Sequence, residues 1–485
     1  VELGMSKVTF KLGKKANFSE WYSRILSLAE IVDIRYGLKG FVVYRPYGFR
    51  MLRTITRFFE EELERRGHEP ALFPVLIPER NFAKEAEHIK GFAEQVFWVT
   101  RAGSRELAEK ACLRPTSETA IYPMYALWIS SYRDLPLKMY QSTTVYRYET
   151  KATRPLIRAR EFPWIETHNV FSSLGECEQQ VREDIEVARR VTWEKLGIPF
   201  VVLERPWWDK FPGAERTFAF ETLMPDGRAL QISTTHLLGQ KFSKVFEVKF
   251  KDEKEQDQYA WQTCFGIGLS RILAALIATH GDDGGLVLPF SVAPIQVVLI
   301  PIFYNDEEKK VVLEKSGKAM EELKKHGIRA YMDLSEQTPG AKFYFWEMKG
   351  VPIRIEIGLK EVSEGFVTVF RRDLKQRTRV RDEELIRSIF RIADEMLEEL
   401  KRRAKENFER RILHVKSKEE LYEKAGRGYF FVFDFCGELS CAEKLSEETG
   451  LEIRGRRIDV EEEPEGSCIL CGKEAKYKAY AAIPY

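Results

Sequence analysis

Four of the chain's seven cysteines stand in two close pairs, Cys436-x4-Cys441 and Cys468-x2-Cys471. Short turns deliver thiolates in pairs, and two pairs build the closed tetrahedral site that zinc takes in structural centres. Gly437 and Gly472 directly follow a cysteine and suit such turns. A site of four sulfurs has no open position, so the metal expected is one structural Zn2+ per chain. The other residues able to do chemistry are arginines beside carboxylates. Val145-Tyr-Arg147-Tyr-Glu149 is followed by a loop and then by Leu156-Ile-Arg158-Ala-Arg160-Glu161-Phe162. Further on, Gly266-Ile-Gly268-Leu-Ser-Arg271 opens an apolar helical run. Arginines that grip two anions at once hold them in line and stabilise the charge that develops when a carboxylate attacks a phosphate. An isolated Arg-x-Glu or Gly-x-Gly carries little information, and most lone arginines are solvated surface charges. Order and separation carry the signal here.

The elements that must position these residues are legible as periodicities. Residues 49–67 place Leu52, Ile55, Phe59 and Leu63 at helical spacing, with Gly67 as the stop. Ser173-x-x-Glu176 is a capping box opening a helix that carries Val181, Ile185 and Ala188 on one face and runs to Gly197. Residues 200–203 and 245–250 alternate as strands. Residues 217–223 and 229–235 flank Pro225-Asp226-Gly227, a hairpin signal that implies antiparallel sheet. After Pro289 the pattern changes to strand–helix alternation: strands at 295–303, 328–332 and 353–357, helices at 307–326 and 342–349. A long charged helical run, 382–411, leads to the cysteine-rich tail.

The length of 485 residues predicts roughly three domains of about 150 residues each. A net charge of +2 leaves nucleic-acid binding to local patches. The most apolar stretch, 297–304, is broken by Pro301, so no membrane span is expected. Val1-Glu-Leu-Gly-Met5 has no basic or apolar region of a signal peptide. Free thiols in a large chain then point to a reducing, cytoplasmic setting.

Taken in order, residues 49–74, the Arg147–Phe162 segment and the Gly266–Arg271 segment resemble motifs 1, 2 and 3 of the class II aminoacyl-tRNA synthetases. The resemblance implies that Arg147 bridges the α-phosphate of ATP and an amino-acid carboxylate. It likewise implies that Glu149 reads the adenine amino group, that Arg158 reaches the β- and γ-phosphates, and that Phe162 and Arg271 cover the two faces of adenine. Cys112-Leu-Arg114-Pro-Thr116-Ser-Glu118 resembles the Thr-x-Glu loop of the prolyl branch, subclass IIa, where Glu118 pairs with the imino-acid ammonium and Thr116 accepts from it. Phe162-Pro-Trp164-Ile-Glu166-Thr-His168 and Gln231-Ile-Ser-Thr234-Thr-His236 fit the same branch. On that resemblance Trp164 and His236 wall a proline ring, His168 packs nearby, Phe92 acts as a lid, and Gln231 and Thr234 touch the ribose.

Nearly the whole chain is similar to the archaeal/eukaryotic type of prolyl-tRNA synthetase. This implies an α+β fold: an antiparallel-sheet class II catalytic domain (1–290), an α/β anticodon-binding domain (291–400) and a small α+β zinc-binding C-terminal domain (401–485). The implied substrates are L-proline, ATP with Mg2+ and tRNA(Pro), and the implied assembly is a homodimer through motif 1. In the second domain, Thr338-Pro-Gly340-Ala-Lys342 and Trp346-Glu347 offer Lys342 and Glu347 as readers of unstacked anticodon bases. The basic run 371–381 reads equally as a phosphate contact or as a solvated strand pair. The stretch between Phe162 and Gly266 is too short for an inserted editing domain. Ala159 stands where some relatives have threonine. Two other readings remain: another subclass IIa synthetase (threonyl, glycyl, histidyl or seryl), which the Pro-Thr-x-Glu loop disfavours, and a non-charging RNA-binding relative, which the retained arginines disfavour.

Overall fold

A computed structural model describes residues 13–84, 92 and 94–485. The segment 1–5 and residues 91 and 93 of the lid motif lie outside the described residues. Among those described, the largest sheet has eleven strands, and its centre is antiparallel. In chain order its strands are β1 (Glu69–Pro70), β2 (Leu137–Tyr146), β3 (Glu161–Phe171), β4 (Val201–Glu204), β5 (Arg216–Leu223), β6 (Ala229–Gly239), β7 (Trp261–Ile267), β8 (Ile412–His414), β9 (Phe430–Phe435), β10 (Glu452–Arg457) and β11 (Tyr477–Ala482). They lie side by side as β8-β9-β11-β10-β4-β5-β6-β7-β3-β2-β1.

One face of the central strands is sealed by helices α1 (Pro46–Glu64), α2 (Leu174–Ala188) and α3 (Leu269–His280). Helix α1 starts three residues before its apolar periodicity because Pro46 sits at its first position, where a missing N–H costs nothing. The capping box of α2 forms as expected: Glu176 N–H donates to Ser173 Oγ, and the Glu176 carboxylate accepts from the Ser173 N–H at 3.0 Å. Helix α3 is largely apolar and buried over most of its surface, with only Arg271 and Thr279 partly exposed.

Two expectations fail locally. Residues 245–250 do not form a strand: Lys241–Phe246 is a short helix, ended by Glu247 in the left-handed region, and only Lys249–Lys251 is extended. Phe242 and Phe246 face the same core, which is helical spacing that the alternation masked. The run to Gly197 does not stay α-helical, because Arg189–Lys195 widens into a π-turn.

The second region is a five-stranded sheet holding Val297–Pro301, Ala330–Met332 and Ile353–Ile357 in parallel, with Phe366–Arg371 and Gln376–Arg381 added antiparallel. Helix Pro339–Met348 carries the expected anticodon motif. The basic run is not a free phosphate stripe. Arg371 pairs with Asp373 and Glu395, Arg377 with Glu356, and Arg379 with Glu364. Arg372, wholly buried, donates to both oxygens of Asp282 at 2.8 and 2.6 Å, tying this region to the turn after α3.

The tail is joined to the catalytic sheet more closely than a sequence-separated module implies. Strand β10 pairs antiparallel with β4, through Arg456 opposite Glu204 and Arg457 opposite Leu203. A Cβ on Gly455 would lie 2.1 Å from the Glu204 carbonyl oxygen, so this docking admits no side chain there. Among the described residues no helix is long and apolar enough to cross a membrane.

Replacing Arg372 with alanine leaves the Asp282 carboxylate only the Gly284 N–H at 2.8 Å and Lys375 at 3.4 Å. The expected loss is about 3 kcal/mol, the lower end for breaking a buried pair because Asp282 keeps contact with water. A urea midpoint that falls with an unchanged slope checks this.

Candidate active site

Side chains alternate across a strand, so Phe162, Trp164, Glu166 and His168 of β3 share one face. The register sets their neighbours. Gln141 of β2, Glu166 of β3 and Gly266 of β7 lie directly across from one another, with Thr234 of β6 next in the row. One row along run Met139, His168, Cys264 and His236. On this face is a cleft of about 340 Å³. The expected residues Phe92, Thr116, Glu118, Arg147, Glu149, Arg158, Phe162, Trp164, His168, Gln231, Thr234, His236 and Arg271 all line it. A Cβ on Gly266 would lie 2.6 Å from the Trp164 ring, so that glycine is what lets the indole approach β7.

At one end Thr116 donates to Glu118 at 2.6 Å, and Glu118 is buried. Behind them lies a network the sequence did not reveal. The Glu166 carboxylate accepts from Ser117 N–H at 3.2 Å, Ser117 Oγ, Gln141 Nε2 at 2.8 Å and His168 Nε2 at 2.9 Å. Tyr122 backs His168 at Nδ1, 3.1 Å away. Burial alone would raise Glu166, but the bond and charge of His168, with Ser117 and Gln141, hold its pKa at about 2. Burial lowers His168, and Glu166 more than reverses it, so the imidazole is raised above its usual value. The two histidines are therefore shifted in opposite directions. His236 is held neutral, at about 3, by burial and by the nearby Arg147 and Arg205. It bonds Thr234 and Thr217, each at 3.0 Å, and stacks on Phe211 with centroids 4.5 Å apart.

Two of the cleft arginines are fixed by carbonyl oxygens. Arg147 Nε donates to Pro115 O at 2.9 Å, and its guanidinium lies 5.3–5.5 Å from the rings of Phe92, Phe162 and Trp164. Arg271 donates to Ile157 O at 2.9 Å and to Gln231 O at 3.0 Å. Burial, with Arg147 and Arg158 close by, lowers the Arg271 pKa to about 10. Arginines crowded in a buried cleft and held by neutral partners are arranged for anions. Arg205, Phe211 and, from β10, Arg454 also line the cleft; nothing local in the sequence marks them.

Outside the cleft, the four cysteine sulfurs expected to bind metal lie within 4.8 Å of one another, and Sγ of Cys471 is 3.7 Å from Sγ of Cys436. A tetrahedron with metal–sulfur bonds near 2.3 Å requires sulfurs about 3.8 Å apart. The cluster therefore fits a metal ion. Lys342 does not present its amine as expected: it is 8% exposed, and its ammonium donates to the Asp333 carbonyl at 3.0 Å. Glu347 is partly exposed and accepts from Arg354 at 2.8 Å.

Three family models match the chain: the tRNA synthetase class II core domain (G, H, P, S and T) over residues 97–280, an anticodon-binding domain over 296–391, and the prolyl-tRNA synthetase C-terminal domain over 418–485. With the antiparallel sheet and its arginine-lined cleft, they define a class II aminoacyl-tRNA synthetase. Among curated proteins, the proline–tRNA ligase of Thermofilum pendens is 54% identical, with 99% of this chain and 100% of that one covered. That of Methanopyrus kandleri is 45% identical over 98% and 97%. Among solved structures, Giardia lamblia prolyl-tRNA synthetase in complex with prolyl-adenylate superposes with a TM-score of 0.95 at 38% identity, covering 98% of this chain and 100% of that chain. The Cryptosporidium parvum prolyl-tRNA synthetase complexed with halofuginone and AMPPNP gives 0.93 at 33%, over 99% and 100%. The chain belongs to the prolyl-tRNA synthetase family.

Because the Glu166 pKa is depressed from 4.5 to about 2, its contribution to stability is full above the unfolded value and is lost as pH falls through the folded one. Glu166→Gln is expected to destabilise the protein at pH 7 and to narrow its gap from wild type between about pH 4.5 and pH 2. Denaturation midpoints across that window test it.

Proposed function

We propose that the protein activates L-proline with ATP and transfers it to tRNA(Pro). The proline carboxylate attacks the α-phosphorus of ATP, forming a carboxyl–phosphate bond as diphosphate leaves. A terminal ribose hydroxyl of the tRNA then attacks the acyl carbon and releases AMP. The observation that carries this is the position of Arg147. Its Nε bond to Pro115 O holds it beside Thr116 and Glu118, while its guanidinium lies 5.5 Å from the Phe162 ring. A guanidinium there touches a carboxylate and an α-phosphate together, and its hydrogen-bond partner is a neutral carbonyl. Glu118 takes the ammonium, Trp164 and the neutral His236 wall the ring, and Phe92 covers it. Glu149, Phe162, Arg158 and Arg271 take the nucleotide, with Gln231 and Thr234 at its ribose. ATP enters as its Mg2+ complex.

The division proposed is a catalytic region to 290, an anticodon-binding region to 400 and a zinc-binding region beyond. Zn2+ is the ion proposed for Cys436, Cys441, Cys468 and Cys471, because four thiolates in a closed site suit it. Of the two anticodon readers expected, the geometry favours Glu347, since Lys342 is occupied within its own loop. A reducing compartment such as the cytoplasm suits the free thiols. A homodimer is proposed through the α1 region, where Phe49, Leu72 and Leu76 are exposed.

Pyrophosphate exchange with the pure protein should require proline. Threonine, glycine, histidine or serine supporting it instead would replace this reading with another subclass IIa activity. Arg147→Ala should reduce exchange by about 10² or more, the usual effect of losing one donor to a developing anion. Retention of a tenth of the rate would remove it from the reaction. Metal analysis of fresh protein should give one zinc per chain, and light scattering at micromolar concentration should give the mass of a dimer.

A further inference from the structure

Beside the proposed ribose site, two buried arginines share one carboxylate. Glu221 is 0% exposed. Arg454 donates to its oxygens at 2.6 and 3.1 Å, and Arg205 donates to it as well. Arg205 also donates to the Arg454 carbonyl at 3.0 Å and, from the nitrogen that meets Glu221, to the side-chain oxygen of Gln231 at 2.6 Å. The Gln231 main-chain oxygen is the one Arg271 holds at 3.0 Å. Gln231 is thus gripped at both ends, by the nucleotide arginine on its backbone and by the paired arginines on its side chain.

Arg454 enters this arrangement from far along the chain. It sits on β10, beside Gly455, the residue whose missing Cβ permits contact with Glu204. Its remaining amino group is held by Glu452 at 2.9 Å. A planar fork that meets one carboxylate through two bonds fixes direction as well as charge, which a lysine does not do.

We propose that Arg454, supplied by the C-terminal region, is a positioning residue for ATP. It orients Glu221, which orients Arg205, which fixes the amide of Gln231 toward the nucleotide. It does not touch the proline end, where Glu118, Glu166 and His168 are held by residues of β2, β3 and the Thr116 loop. The proposal rests on the ATP-site reading above and deepens it.

The test is steady-state pyrophosphate exchange with the full-length protein, with ATP and proline varied separately. In Arg454→Met the KM for ATP should rise about tenfold and the KM for proline should stay within about twofold, a split that lost uniform folding stability does not produce. Arg454→Lys should fall between Arg454→Met and wild type. Removing Arg454 leaves Glu221 paired with Arg205, and the variant Arg454→Gln, which can still donate to that carboxylate but lacks the charged fork, is measured alongside. It should melt close to wild type and keep a raised ATP KM. An ATP KM within twofold of wild type in Arg454→Met, with wild-type melting, overturns the proposal. So does a parallel rise in both KM values, and so does failure of all three variants to fold, which assigns the arginines to stability alone. Absence of proline-dependent exchange in the wild type overturns the functional reading instead and leaves these variants to be read by ATP-induced thermal shift, with the same expected order.

Discussion

Ile232 is one residue too many for the ladder it sits in. Phe220 of β5 pairs with Ser233 of β6, but its neighbour Glu221 pairs with Gln231, and the register slips between them. A bulge of this kind re-aims the side chains around it. Here the carbonyl of the extra residue accepts the Gly268 N–H at 2.9 Å, which anchors the strand-to-helix turn carrying Arg271. The slip also sets Glu221 opposite Gln231, on the cleft side. Motif 3, the proposed ribose site and the buried arginines therefore take their positions from one irregular pair of residues.

Two populations of arginine follow from the kind of partner each has. Three of the second region face carboxylates: Arg371 with Asp373, Arg377 with Glu356, Arg372 with Asp282. Their charge is neutralised within the fold, and their role is cohesion. Arg147 and Arg271 are held by carbonyl oxygens, and so is Arg114, at Phe73 O and Thr144 O. A carbonyl fixes direction but leaves the charge available to a ligand. This distinction is invisible in a string of residue types, where all are simply arginine.

The same contrast decides what was readable beforehand. The cleft residues were legible because the segments that hold them resemble, in residue type and order, the motifs of a known family. The capping box at Ser173 and the paired cysteines were legible because their partners lie close in sequence. Glu166 was visible within a quoted motif, yet its role depends on Gln141 and Ser117, which reach it across the sheet and from a distant loop. Lys342 matched a motif, but its burial depends on Asp333 folding back over it. The docking of β10 on β4 was least readable of all, since nothing near Gly455 records that Glu204 will approach it.

The pairing of Glu204 with Arg456 spans 252 residues, and this has a consequence for biosynthesis. While the chain is being made, β4 can pair with β5, but its other edge has no neighbour until β10 emerges. At roughly 5–20 residues per second, that delay is on the order of ten to fifty seconds. For that interval the nascent domain carries an open strand edge, the kind of surface on which chains aggregate. The strand is only Val201–Glu204, and it ends on a charge. Such brevity offers little template to a neighbouring ribosome's product, and it keeps the edge vacant for β10.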